Sequence, residues 1–318
     1  MKRKGKSILE AAWNYRAARV LHVANHLQIF TRLSERPMPV GALAQACGAK
    51  DTMLEKLLIA CCAMGLLDKD EDLYSVTNVS KTYLVAGREL YQGDMIAHSA
   101  NKWDFWTHLE DEVLLEKVPM PDETTEHENF IRAMHNITMA GRGEAIVEAL
   151  DLSGRTRLFD VGGGPGTYSI LFCRRWPDLK AVVFDLPETI SITREIINRE
   201  KMTDRICVRE GSWDTHDFGR NHDVVLLSNI LHGPESQTEM KLAKAYDSLV
   251  SGGLLLIQEF LLNDEKTGPL VPALFNIMVG AFSRKELTRE VEQAGFVQVD
   301  LVLDREDLGA TWISGTKP

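Results

Sequence analysis

Leu158-Phe159-Asp160-Val161-Gly162-Gly163-Gly164-Pro165-Gly166-Thr167 is the stretch that decides the fold. Its first four residues read as a short, mostly apolar strand, and residues 167–175 as a helix. Between them lie four glycines and a proline. Glycine tolerates positive φ and lets a backbone approach a ligand closely. The helix N-terminus just beyond favours an anionic group. The same rhythm continues downstream. Short apolar runs at 180–184, 206–209, 223–228, 253–258 and 296–303 alternate with helical patterns at 189–200, 235–250 and 284–294. Alternation of this kind predicts an α/β fold with a doubly wound, mainly parallel, Rossmann-like sheet.

The glycines themselves narrow the ligand. A dinucleotide loop has the form G-x-G-x-x-G. Counted from Gly162 and Gly164, its third glycine belongs at 167, which is Thr; here it comes one residue early, at Gly166. With Asp160 at the strand end the run reads D-x-G-x-G-x-G, the pattern used for S-adenosylmethionine. Asp160, Gly162, Gly164 and Gly166 are thus candidate cofactor residues. Asp185 ends the next strand, 19 residues after Gly166, where a carboxylate can accept both ribose hydroxyls; Leu186 follows it. Its plainer reading is a helix cap. Gly211-Ser212-Trp213 follows the third strand, and Trp213 can lie on an adenine face. Ser228-Asn229-Ile230-Leu231-His232-Gly233-Pro234 sits at the end of the fourth strand, where His232 can act as a general base. Glu259, ending the fifth, can orient that imidazole.

Upstream of residue 150 the pattern is different. Residues 8–33 read as one long helix, apolar on more than one face, which asks for a second subunit as partner. A helix at 40–47 ended by Gly48, a helix at 53–64 capped by Asp51-Thr52 and ended by Gly65, and a hairpin at 66–76 give a winged-helix outline. Its would-be recognition helix carries only Lys56 against Asp51 and Glu55, and its wing is acidic. Groove binding needs several bases, so nucleic acid is not an expected partner. The whole-chain balance agrees: 36 Lys+Arg against 46 Asp+Glu in 318 residues, a formal charge of −10. Residues 80–150 read as helical around a loop at 119–128, with Trp103, Phe105 and Trp106 expected to pack inward. Five cysteines, without a Cys-x-x-Cys pair, suit a reducing compartment. With no signal-peptide core and no apolar run of spanning length, the expected setting is cytoplasmic, away from membranes. His22 and His26 are four apart but lack a third ligand, so no metal is expected. His216 and His222 read as surface residues.

Together these pieces resemble the S-adenosylmethionine-dependent O-methyltransferases of the plant caffeate, hydroxyindole and bacterial polyketide type. The resemblance spans nearly the whole chain. It rests on 158–168, Phe184-Asp185-Leu186-Pro187, Ser251-Gly252-Gly253-Leu254 through Glu259, and Glu286-Leu287 through Ala294-Gly295-Phe296. It implies an all-helical, winged-helix dimerisation domain at 1–100, a helical linker at 101–150 and a cofactor domain at 151–318. It implies a homodimer, S-adenosylmethionine as cofactor with S-adenosylhomocysteine as product, and a small, aromatic acceptor. By the same resemblance His232 is the base and Glu259 its carboxylate. Ser228 falls on the cofactor, and Phe130, Met134, Asn229, Ile277 and Met278 on the acceptor pocket. The chain departs from the family at four points: Ser212 replaces an Asp beside the adenine, Gly233-Pro234 follows the base in place of Asp-Trp, Ser228 replaces a Lys, and a second Glu near Ala281 is missing. Carbon or nitrogen methylation, or chemistry other than methyl transfer, is the alternative on this fold. A nicotinamide oxidoreductase and a small-molecule-sensing winged-helix regulator are the more distant ones.

Overall fold

The computed structural model describes residues 2–115 and 123–318. The chain divides into two units, residues 1–137 and 138–318. The helical stretch expected at 101–150 therefore contributes to both.

The first unit opens with α1 (Lys2–His26) and α2 (Ile29–Glu35). The single helix expected at 8–33 is broken because Gln28 takes a left-handed backbone conformation, φ 55°. A small sheet of β1 (Met38–Pro39), β2 (Leu67–Asp70) and β3 (Leu73–Val76) forms the wing around α3 (Val40–Cys47) and α4 (Asp51–Ala63). The unit is thus helical apart from this sheet, not all-helical. Gly48 closes α3 at φ 65°, as its position predicts. Helix α4 starts two residues before the expected 53, at Asp51, with no side-chain cap. Leu43, Leu54, Leu58, Cys61 and Tyr74 fill the core beneath Ile29, Phe30 and Leu33. Ile8, Trp13 and Tyr15 on α1 stay exposed, in line with a helix that carries more apolar surface than one unit covers.

Helices α5 (Asn78–Tyr83), α6 (Gly93–Asn101), α7 (Trp103–Thr107), α8 (Leu109–Leu115) and α9 (Glu123–Ile137) complete the unit. The part of the expected loop at 119–122 lies outside the described residues; 123–128 is helix, not loop. Asn136 ties α9 to α6, taking the Met95 N–H on its Oδ1, while its carbonyl accepts from Gln92 Nε2. Trp103 is half-buried, edge-on to His22, but Trp106 is exposed, against the expectation that it packs inward. A five-residue helix that buries nothing cannot supply a core face.

The second unit carries α10 (Gly143–Ala149), β4 (Arg157–Val161), α11 (Thr167–Arg175), β5 (Lys180–Asp185), α12 (Pro187–Arg199), β6 (Ile206–Glu210), β7 (His222–Ser228), α13 (Thr238–Ser248), β8 (Leu249–Glu259), α14 (Leu270–Val279), α15 (Arg284–Gln293), β9 (Val297–Arg305) and β10 (Ala310–Thr316). The strand order is β6-β5-β4-β7-β8-β10-β9, with β4 to β8 parallel and β10 antiparallel to both neighbours. Phe159, Val161, Val225, Leu227, Leu255 and Ile257 pack with α13 and α15 residues into one core. Helix α13 begins at Thr238, three residues later than the 235 expected, because Pro234–Ser236 forms a separate short turn and Gln237 is left-handed. Sequence reasoning gave neither α14 nor β10. His222 is not a surface residue: its ring stacks on Phe159 at 4.7 Å, and burial lowers its pKa.

Chain order fixes where a ligand can sit. From β4 the chain runs outward through β5 and β6, then returns to add β7 and β8 on the other side. Loops leaving β4 and β7 diverge at their carboxyl ends and leave a crevice, the place where open α/β sheets take ligands. Both the glycine loop and the His232 loop leave the sheet there.

Candidate active site

The glycine loop is held by its own protein. Gly162 N–H donates to Phe184 O (2.8 Å), Gly163 N–H to the same oxygen (3.4 Å), Gly164 N–H to Asp185 Oδ2 (2.8 Å) and Gly166 N–H to Gly163 O (2.8 Å). Pro165 has no N–H. Within 162–166 every N–H is thus engaged inside the protein, so the loop is held in a fixed shape that lets its backbone approach a ligand closely. Gly162 has φ 61°, and a Cβ there would lie 2.9 Å from Ile230 and 3.2 Å from Trp213. Gly162→Ala should cost about 1–3 kcal/mol, since it adds left-handed strain to a clash. Thermal melting checks this; an unchanged Tm would show that the loop is slack.

Asp185 sits at the end of β5 with one oxygen on Gly164 N–H and the other on Leu186 N–H (2.7 Å). Both bonds come from backbone N–H groups, so the carboxylate is fixed in place at the strand end. It is not the cap of α12, whose capping residue is Leu186, without a side-chain bond. Asp160 stands elsewhere. It is buried under the loop, takes a hydrogen bond from Ser169 Oγ (2.7 Å), and would clash with a Cβ at Gly163. Burial pushes its carboxyl up to about 7, against the Ser169 bond and with the help of the Asp185 charge. The sign follows: between pH 4 and 7 the folded state holds a proton that the unfolded chain has released. Stability therefore falls as pH rises through that window, by up to a few kcal/mol. Asp160→Asn should flatten this slope in Tm measured from pH 4 to 8. Parallel curves for the two proteins would refute the assignment.

Beyond β6, Gly211 N–H donates to Asp185 O (2.9 Å), so this loop is tied to the end of β5. Trp213 lies against Gly162, with Lys241 Nζ 4.4 Å from its ring centroid. Ser212 Oγ is engaged locally with Asp214. Lys241 is buried and donates to Ile230 O (2.7 Å) and Ser236 O (2.6 Å); burial lowers its pKa. Lys244, one turn on, donates to Trp213 O and His216 O. These two lysines brace the Trp213 wall and the His232 loop from one face of α13. Sequence reading missed both, although their i, i+3 spacing next to a ligand edge was the available signal.

At the end of β7, His232 Nδ1 lies 3.1 Å from Glu259 Oε2, while Glu259 Oε1 accepts the Leu231 N–H (2.6 Å). Glu259 is fully buried and His232 partly open. A carboxylate on Nδ1 fixes the proton there and leaves Nε2 with its lone pair outward. The Gly233-Pro234 departure has a structural reason. Gly233 adopts φ 125°, and a Cβ there would come 3.3 Å from Ala281 N and 3.5 Å from Gly280 C, so a side chain at this turn would be both strained and crowded by that segment. Ser228 Oγ (3.0 Å) and Asn229 Nδ2 (2.8 Å) both donate to Gln258 Oε1. Asn229 Oδ1 and Gln258 Nε2 are buried without partners. Ile277 is 46% exposed and Met278 half-buried on α14, the helix held by Phe275 stacked on Phe260. Phe130, 40% exposed, and the half-buried Met134 stand on α9 of the first unit, Phe130 against His98. Among the described residues, no group of three His, Cys, Asp or Glu side chains is placed to hold a metal ion, and no helix is long and apolar enough to cross a membrane.

Known proteins place this architecture. A model of the O-methyltransferase domain matches residues 93–296, and one of the O-methyltransferase dimerisation domain matches residues 9–86. The chain is 35% identical to 3-hydroxy-5-methyl-1-naphthoate 3-O-methyltransferase of Streptomyces sahachiroi, over 86% of this chain and 84% of that one. It is 25% identical to L-tyrosine C(3)-methyltransferase of Streptomyces lavendulae, over 83% and 77%. Among solved structures, human N-acetylserotonin methyltransferase in complex with SAM shares the fold with a TM-score of 0.88 at 23% identity, over 99% and 97% of the two chains. The glycine loop and Asp185 at the crevice, and the match over both parts of the chain, agree: this protein belongs to the S-adenosylmethionine-dependent O-methyltransferase family.

Proposed function

We propose that the protein methylates a hydroxyl of a small aromatic molecule, with His232 as general base and Glu259 as the group that orients it. The observation that carries this is the His232–Glu259 pair, 3.1 Å apart, at the same sheet crevice as the glycine loop. S-adenosylmethionine, when bound, supplies a methyl carbon on a positively charged sulfur, the carbon that the acceptor oxygen takes. In this chain Asp185 would accept the ribose hydroxyls, Trp213 would wall the adenine, and Gly162, Gly164, Gly166, Leu186, Gly211, Ser212 and Ser228 would line the rest of the cradle. Asp160 would act from beneath, by holding Ser169 and the loop.

His232 Nε2 would take the acceptor's hydroxyl proton, and the buried Glu259 carboxylate would stabilise the imidazolium that results. Asn229, Ile277 and Met278 are proposed to hold the acceptor; their mix of aliphatic, thioether and amide groups suits an apolar ring with a polar edge. Fixing acceptor and methyl donor together supplies much of the acceleration. The 35%-identical relative is named for a hydroxynaphthoate, which supports a fused aromatic acceptor here. The dimerisation-domain match and the exposed apolar residues of α1 support a homodimer, and the cysteine usage supports a cytoplasmic setting. A panel of hydroxylated aromatic acceptors, read by S-adenosylhomocysteine formed and by the position of the new methyl, tests the reading. A methyl on ring carbon would favour the alternative, which the tyrosine C-methyltransferase relative keeps open.

A further inference from the structure

Arg142 is a buried cation for which the protein provides no counter-charge. It ends the wide turn Thr138–Arg142, in which Gly141 takes φ 120° and swings the side chain off the helical path. The residue is 9% exposed. Its Nε–H donates to Leu308 O (2.6 Å), and its guanidinium lies 5.3 Å from the centre of the Phe260 ring. Gly309 leaves it room, since a Cβ there would come 3.3 Å from Nη2. Among the described residues, no carboxylate pairs with it and no acceptor takes its Nη hydrogens; burial lowers its pKa, with only the Tyr168 hydroxyl opposing. A guanidinium carries five donors in a fixed fork. One is used, and the planar face shape that matches a carboxylate is left open. A buried, unpaired charge is costly and is normally matched.

Its place in the fold says what could match it. Phe260 follows Glu259 directly, and Thr311, two residues after Gly309, pairs with Glu259 across β8 and β10. Tyr168 stands on α11, which opens from the glycine loop. The guanidinium is thus at the ligand edge of the sheet, within one strand residue of the carboxylate that holds His232.

We propose that Arg142 is an anchor for the carboxylate of a bound ligand, clamped in place by Leu308 O and the Phe260 ring. This rests on the methyl-transfer reading of the site. Two ligands there bring a carboxylate: the methyl donor, through its methionyl end, and an acid-bearing acceptor. One pair of measurements separates them. Calorimetry compares S-adenosylhomocysteine with its decarboxylated form. Initial rates compare 3-hydroxy-1-naphthoic acid with its methyl ester. If the cofactor supplies the carboxylate, decarboxylation weakens binding about 10- to 100-fold in the wild-type protein, and Arg142→Met abolishes that difference. If the acceptor supplies it, the acid has a KM about 10- to 100-fold below that of the ester, and the same variant levels the two. Arg142→Lys, which keeps the charge but not the fork, should keep part of either preference. A wild-type protein with no preference for the acid form in either comparison overturns the proposal without any variant. So does a preference that survives Arg142→Met in a protein that still melts cooperatively. The calorimetric arm needs no turnover. Failure of methyl transfer itself would appear instead as lack of product with every acceptor, while S-adenosylhomocysteine still binds.

Discussion

His232→Ala should lower kcat by about 10²- to 10⁴-fold and leave the affinity for S-adenosylhomocysteine unchanged. The expected size is that of a positioned general base, and the expected selectivity comes from geometry. His232 touches Glu259 and the segment around Gly280, whereas the cofactor candidates hang from Phe184, Asp185 and the Trp213 wall. Removing the imidazole leaves Glu259 with its Leu231 N–H bond, so one buried carboxylate oxygen loses its partner. Some loss of stability therefore accompanies the loss of rate, and melting curves are needed beside the kinetics. Titration calorimetry for the product and single-turnover rates for the chemical step separate the two effects. Turnover within a few-fold of wild type would remove His232 from the proton transfer. Methyl transfer would then rest on proximity alone, or take place at carbon.

The fold was legible wherever a local rule was strong. Short apolar strands between helices, with glycines at the first turn, leave few arrangements other than a doubly wound sheet, and five of its strands lie close to their expected positions. What escaped was non-local. Strand β10 enters the sheet antiparallel between β8 and β9, a pairing set by contacts across dozens of residues. Helix α14 is apolar nearly throughout, with Leu270, Leu274, Ile277 and Val279 exposed, so it shows no amphipathic period to read. The break at Gln28 depends on one non-glycine residue taking a left-handed conformation, which no residue pattern announces. In the site, motif residues were visible because chemistry restricts their type. Their braces were not: Lys241, Gln258 and Ser169 act through distances that only the fold creates. Asp160 shows the reverse case. It looked like a ligand contact in the motif, yet it lies beneath the loop, 2% exposed.

Asp185→Ala should weaken S-adenosylhomocysteine binding by about 10²-fold, with kcat at saturating methyl donor nearly preserved. Two hydroxyl bonds to a carboxylate, each worth roughly 1.5–3 kcal/mol before the loss of solvation is counted, are enough for that factor. The carboxylate is already immobilised by Gly164 N–H and Leu186 N–H, so no ordering of its side chain is left to oppose binding. The same two bonds complicate the variant. Alanine leaves both N–H groups without an acceptor and loosens the glycine loop. Asp185→Asn discriminates better. Its amide has the same shape but a single acceptor oxygen, and since each carboxylate oxygen takes one backbone N–H, the NH₂ must face one of the two and lose that bond while the oxygen keeps the other. Asn should therefore recover part of the Tm that Ala loses, while its affinity stays close to that of Ala, because the charge and one acceptor oxygen are gone. Equal affinities for all three proteins, with only Tm changing, would reduce Asp185 to a loop brace. Affinity that falls in step with Tm would mean the loop, not the carboxylate, makes the contact.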